Sequence, residues 1–262
     1  MKVRVLGCAG GLVRGSKTTS FLVDHALLID AGTGVGDLTR EEMLAIDDIF
    51  LTHTHIDHLA CLPLMVGAIA TVREGRPVRI HALPQTLQAL RAHIFNGVIW
   101  PDFTCLPSAD TPAITLHPIR IGEHILASGH TVEPLPASHS VPACGFAVRA
   151  GNSGHAPWWV FSGDTDHCPA FWQRINAMTV GALVIEATFP TRDHALAQLT
   201  RHLCPETLTA ELGQIAPGTR YPIYITHAKP AESAIILREI TQLNHPCPHN
   251  IHMLHTGQVI EV

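Results

Sequence analysis

Residues 51–60 read LTHTHIDHLA and follow directly on the apolar pair Ile49 and Phe50. On an extended chain, residues two apart project to one face, so His53 and His55 point together where the predicted strand DDIFLTH (47–53) runs out. Asp57 and His58 follow in the turn that opens the next predicted helix. Neutral imidazole and carboxylate hold zinc at about 2.0–2.2 Å, and the density of these four side chains allows two adjacent ions.

A dinuclear site needs more ligands than four, including a carboxylate able to bridge. Three other strand-like runs end in a residue of the right type: His139 after TVEPLPAS, Asp164 after WWVFSG and His227 after YPIYIT. Strands finishing in His or Asp are what a metal pocket at one edge of a two-sheet core requires. Solvated polar strand ends are the plain alternative.

Further strand-like runs are VRVLG, SFLVD, ALLIDAG, VRIHAL, AITLHPI, GFAVRAG, ALVIEATF and IHMLH, rich in β-branched residues and bounded by Gly, Pro or Asp. Apolar residues three and four apart predict helices over Leu59 to Val72, Pro84 to Ile94, Pro205 to Ile215 and Ala231 to Leu243. No linker, repeat or charge block interrupts them, which predicts one α/β domain over residues 1–262, two sheets covered by helices. The irregular stretch NGVIWPDFTCLPSADTP (96–112) reads as a lid or binding loop.

Composition narrows the function classes. Apolar residues make up 46% and charged residues 15% of the chain, which excludes a disordered segment or a fibre. No apolar stretch reaches the about 18–20 residues that span a bilayer, and MKVRVLGCAGG lacks a signal peptide's apolar core. A soluble cytoplasmic protein with no membrane partner is expected. Cys8, Cys61, Cys105, Cys144, Cys168, Cys204 and Cys247 are scattered and never paired as CxxC, so neither a disulfide frame nor a thiolate zinc cluster is expected. A net charge of -5 argues against binding extended nucleic acid.

Of 19 histidines, six enter the site. The others, including those of HPCPHNIHMLH (245–255), read as surface or satisfied core groups. GGLVRGSKT (10–18) is a Gly-rich turn rather than a phosphate loop, because Ser16 interrupts the required Gly-Lys-Ser/Thr. Asp24 and Asp30 read as strand-end or turn residues rather than catalysts.

HTHIDH (53–58) resembles the HxHxDH signature of the metallo-β-lactamase superfamily, and His139, Asp164 and His227 arrive in that superfamily's order. The similarity runs from LGCAGG and LLIDAG to ITHAKP, nearly the whole chain. It implies an αββα sandwich, two mixed sheets flanked by helices, with its metal pocket at one sheet edge. By resemblance His53, His55 and His139 hold one ion, Asp57, His58 and His227 the other, and Asp164 bridges. The segments HTHIDHLACLPLMV, HIFNGVIWPDF, FSGDTDH, VIEATFP, RHLCPETLTAEL and YITHAKP look like class II 3',5'-cyclic nucleotide phosphodiesterases. Ser140 stands where that pattern has glycine and Cys204 where it has threonine, and cysteine caps a helix less well.

The resemblance implies two divalent ions, Zn2+ before Mn2+ or Fe, a cyclic nucleotide (cAMP or cGMP) as small-molecule partner and, on resemblance alone, a homodimer. Two metals about 3.5–4 Å apart lower the pKa of a bound water and neutralise charge on the phosphoryl oxygens. The implied nucleophile is a metal-bridging hydroxide that expels the 3' oxygen and leaves the nucleoside 5'-monophosphate, with Asp57 and His202 as catalytic side chains. His202 lies just before Pro205, a residue suited to the first turn of a helix. There it would protonate the leaving oxygen or hold the phosphate.

Asn96 and Trp100 are the expected base contacts, an amide and an aromatic that bond and stack on a purine, with Phe95 in the core. Glu186 is expected either to orient a ligand histidine or to be a buried structural carboxylate. A ribonuclease Z-like enzyme that processes tRNA 3' ends is the nearest rival, weakened by the acidic balance and the lack of a basic arm. A di-iron oxidoreductase is disfavoured because relatives of that type carry Glu in place of His55. A non-catalytic nucleotide sensor would dispense with some of the ligands.

Overall fold

Strands such as Leu27–Ile29 (LLI) and Trp158–Phe161 (WWVF) are buried at every position rather than at alternate ones, which requires cover on both faces. A computed structural model describes residues 1–262 except 74, 153 and 244–249, so Cys247 and the histidines at 245 and 249 lie outside the described residues. One seven-stranded sheet runs in the order Val259–Glu261, Lys2–Gly7, Ser20–Val23, Leu27–Ile29, Asp48–Phe50, Val78–Ala82, Ile114–Pro118. The other runs Ile251–Met253, Ile223–Thr226, Val180–Glu186, Trp158–Phe161, Cys144–Ala150, His130–Pro136, Ile125–Ala127.

Successive side chains of a strand point to opposite faces, and here each face has its own partner. Phe21, Ile29 and Phe50 of the first sheet meet Phe146, Trp159, Phe161 and Val184 of the second. Leu28, Ile49 and Ile80 turn outward onto the helices Leu62–Ile69 and Pro84–His93. Val160, Leu183 and Ile185 turn outward onto Pro169–Ile175, Pro205–Leu212 and Ser233–Leu243. The result is the αββα sandwich of two mixed sheets flanked by helices. The seam is aromatic: Phe21 sits edge-on to Trp159 and Phe161 at 5.3 and 4.9 Å, and Phe50 to Phe146 at 5.5 Å. Such pairs add about 0.5–1.5 kcal/mol each beyond their burial.

Parallel neighbours fill the middle of both sheets. In the first these are Leu27–Ile29, Asp48–Phe50 and Val78–Ala82; in the second, Trp158–Phe161, Val180–Glu186 and Ile223–Thr226. Ligands of open parallel sheets collect outside the carboxyl ends of the strands, where Asp30, His53, Asp164, Thr188 and His227 lie.

Two readings of local structure need correction. The helix expected over 59–72 is two, Ile56–Leu59 and Leu62–Ile69. The amide of Cys61 leaves the helical ladder to bond the carbonyl of Ala31, and Pro63 has no N–H with which to continue it. The helices Arg40–Ala45, Pro169–Ile175 and His194–Thr200 are additional to those expected. The first carries a legible start, since Thr39 and Glu42 form a reciprocal capping box. The helix Pro205–Leu212 begins at Pro205 with Cys204 as cap, and the Thr207 hydroxyl accepts from the Cys204 amide at 3.0 Å. Among the described residues no helix is long and apolar enough to cross a membrane.

Candidate metal centre

The carboxyl ends of the two sheets bring all seven expected ligands to one place. One group of possible ligand atoms comprises His53, His55, His139 and Asp164, and a second Asp57, His58 and His227, each within 4.8 Å of one another. Asp164 stands in the middle. Its Oδ2 lies 3.3 Å from His58 Nε2, 3.4 Å from His227 Nε2, 3.6 Å from His53 Nε2 and 4.0 Å from His139 Nε2. Asp57 Oδ2 lies 3.2 Å from His227 Nε2 and 4.0 Å from His58 Nε2, and His55 Nδ1 lies 3.1 Å from His139 Nε2.

The local chain makes this approach possible. Gly163 adopts φ +62°, and a Cβ there would stand 2.7 Å from the carbonyl of Cys144. Three non-glycine residues at the site also take positive φ: Asp30 at 54°, Arg201 at 56° and His227 at 64°. Strained backbone of this kind persists only where the surroundings impose it, and it gathers at functional sites.

Outer partners decide which nitrogen each ring presents. His58 Nδ1 donates to Asp30 Oδ2 at 2.7 Å. His139 Nδ1 donates to the carbonyl of Arg201 at 2.9 Å. Thr188 donates to Glu186 Oε2 at 2.6 Å and so accepts from His227 Nδ1 at 2.9 Å. Thr52 donates to Asp30 and accepts from His53 Nδ1 at 2.9 Å. Each of these four rings therefore spends its Nδ1 proton outward and turns Nε2 to the centre.

The centre is consequently a set of acceptors facing one another. His58 Nε2 and His227 Nε2 are 3.2 Å apart, and His53 Nε2 and Asp164 Oδ1 are buried with no hydrogen-bond partner. Burial, and then the neighbouring imidazoles, hold His53 and His55 below the usual imidazole range, and burial does the same to His139. Burial also opposes charge on His58, but Asp164 and Asp30 outweigh it and raise its pKa well above the ordinary value. Burial opposes charge on Asp164 as well, yet His227 and His58 hold that carboxyl well below its usual range. Imidazole and carboxylate donors with their outer N–H groups engaged fit divalent metal ions, and the orphaned acceptors call for positive charge at that point.

His202 joins from the other side. It is 8% exposed, and a ring nitrogen lies within 4.8 Å of ligand atoms of Asp164 and His227. Its ring stacks on that of His227 at 5.3 Å. Nδ1 donates to Glu186 Oε1 at 2.8 Å. Glu186 is fully buried and also accepts from the amides of Thr165 and Leu203. It therefore orients His202 directly and reaches His227 only through Thr188.

The expected base contacts Asn96 and Trp100 both have local partners. The Asn96 side chain donates to the Ala92 carbonyl and accepts from the amides of Val98 and Ile99, closing its own turn. Trp100 packs its ring on Gly67, 3.3 Å from where a Cβ would stand, with its indole nitrogen buried. Phe95 is in the core at 1% exposure. Two backbone amides fill the Asn96 oxygen and one carbonyl takes one of its two N–H donors.

Asp30, read in the sequence as a strand-end or turn residue, lies against a candidate ligand, His58. Fully buried, it accepts from the Thr52 amide, the Thr52 hydroxyl and His58 Nδ1. In Asp30→Asn an NH2 replaces one of two accepting oxygens and faces a donor whichever way it turns. Metal affinity is expected to fall about 10–100-fold, read by competition with a chromophoric chelator; unchanged affinity would separate Asp30 from the centre.

Comparison with known proteins agrees with this architecture. The family model described as "Beta-lactamase superfamily domain" matches residues 25–253. The chain belongs to that superfamily. Within the superfamily, the chain is 24% identical over 201 residues to 3',5'-cyclic-nucleotide phosphodiesterase 1 of Saccharomyces cerevisiae, which covers 68% of this chain and 53% of the yeast protein. The match thus spans about half the length of that relative. It is 30% identical over 137 residues to Ribonuclease Z of Thermobifida fusca, half of this chain and 40% of that one. Among solved structures, unliganded yeast PDE1 superposes with a TM-score of 0.84 at 18% identity, covering 100% of this chain and 99% of the other. This superfamily member thus has the metallo-β-lactamase fold and carries a His/Asp cluster of metal-binding type at its sheet edge.

Proposed function

We propose that the protein is a divalent-metal-dependent phosphodiesterase that opens 3',5'-cyclic nucleotides to nucleoside 5'-monophosphates. The observation that carries the reading is the pairing of two ligand groups joined at Asp164 with a buried, Glu186-held histidine beside them. The likeness to a cyclic-nucleotide phosphodiesterase supports the choice of substrate. His53, His55 and His139 would hold one ion, Asp57, His58 and His227 the other, with Asp164 between; Zn2+ suits this donor set. Bound there, divalent ions supply Lewis acidity toward a phosphoryl oxygen and an acidified water.

The chain's own groups manage the protons. Asp57, whose side chain is 26% exposed, would receive the proton released as water adds to phosphorus. His202 delivers a proton from Nε2 to the departing 3' oxygen as the P–O3' bond breaks. Its pKa suits a proton donor, since burial opposes its charge but the Glu186 carboxylate holds it above the ordinary imidazole value.

Phosphorus NMR of cAMP and cGMP incubated with zinc-loaded protein tests the reading. The cyclic diester signal is expected to give way to that of the 5'-monophosphate. Metal-loaded protein that leaves both cyclic nucleotides intact would reject the substrate assignment.

A further inference from the structure

A cavity of about 580 Å3 opens beside His139, between the segment that follows the strand Val78–Ala82 and residues 137–143 of the second sheet. Gln85, Ser138, Ser140 and Arg201 form its polar wall, Leu83 and Pro142 its apolar wall, and no carboxylate lines it. Arg201 is tied to the metal centre twice. Its carbonyl accepts from His139 Nδ1, and its Nη1 donates to the His139 carbonyl at 3.2 Å. Among the described residues the rest of the guanidinium has no hydrogen-bonding or ionic partner.

The backbone at Arg201 is left-handed, φ 56° and ψ 57°, at the end of the helix His194–Thr200. Glycine is the usual residue for such a helix end. An arginine there sets a planar, unpaired cation at the rim of the centre despite the strain.

With the cyclic phosphate at the cluster, only the ribose and base of a cyclic nucleotide remain to fill the cavity. A guanidinium fork matches two adjacent acceptors, and guanine presents N7 and O6 on one edge, whereas adenine presents an acceptor beside an amino donor. We propose that Arg201 reads the base in this cavity and gives the protein a preference for guanine over adenine cyclic nucleotides. This rests on the cyclic-nucleotide reading above. The neutral hydroxyls of Ser138 and Ser140 and the Gln85 amide complete the polar edge around the base, and Leu83 and Pro142 pack on its face.

The test compares kcat/KM for cGMP and cAMP in the zinc-loaded wild type, Arg201→Gly and Arg201→Gln. Arg201→Gly keeps the carbonyl that holds His139 and relieves the positive φ, so folding is preserved. The wild type is expected to favour cGMP by about 10–100-fold. Arg201→Gly erases the preference, mainly through KM for cGMP, and Arg201→Gln, whose amide matches the adenine edge, tilts it toward cAMP. Equal efficiencies in the wild type, or variants that slow both substrates in proportion, would overturn the proposal and leave the cyclic-nucleotide reading standing. If neither substrate is turned over while bis(p-nitrophenyl) phosphate is cleaved, both fall together.

Discussion

Asp164→Ala is expected to release bound metal and to lower phosphodiesterase turnover by more than the about 10–100-fold that follows loss of an outer partner. The reason is position. Oδ2 lies within 4.0 Å of a nitrogen on four different histidines, so its removal unlinks both ligand groups at once. The Asp57 carboxylate would remain beside His227 and His58, but His53 and His139 would lose the carboxylate that faces their Nε2 atoms, and none of the outer partners is placed to restore it. Metal content by plasma mass spectrometry and hydrolysis of bis(p-nitrophenyl) phosphate give the two readouts. A variant that keeps two equivalents of zinc and full turnover would remove Asp164 from the centre.

His202→Ala should separate the two functions that Asp164→Ala removes together. None of the proposed ligands uses His202 as its outer partner: His139 rests on Arg201, His58 on Asp30 and His227 on Thr188. Metal content is therefore expected to stay at the wild-type level. Turnover of a cyclic nucleotide should fall by about 10^2–10^4-fold, the usual contribution of a positioned proton donor. A nitrophenolate leaves without protonation, so cleavage of bis(p-nitrophenyl) phosphate should suffer much less. Equal losses on both substrates would assign His202 to phosphate binding or packing instead.

The strand ends are legible in the sequence because an apolar run that stops at His or Asp is a local pattern. His53, His55, His139, Asp164 and His227 each follow such a run. Their assembly depends on which edge each strand reaches, and only the sheet order supplies that. Asp30 also ends an apolar run, in LLIDAG, yet nothing local distinguishes a carboxylate that faces a ring nitrogen from one that closes a turn. Glu186 does lie near the site, but its direct partner is His202 and the chain to His227 passes through Thr188. Asn96 serves its own backbone, a use of a loop amide that the sequence does not separate from ligand binding. Arg201 gives no local signal, since its carbonyl meets His139 through a left-handed backbone that the side chain does not advertise.

The seam between the sheets acts as a calliper. His53 and His58 ride on one jaw; Asp164 and His227 ride on the other, and packed sheets stand about 10 Å apart because of the side chains between them. Phe21, Phe50, Phe146, Trp159 and Phe161 set that gap. Protein interiors are packed closely enough to transmit even one methylene of change. A residue trimmed in the seam, in contact with no ligand, therefore reaches the cluster as a change in spacing, and the affinity for metal becomes a gauge of how the core is filled.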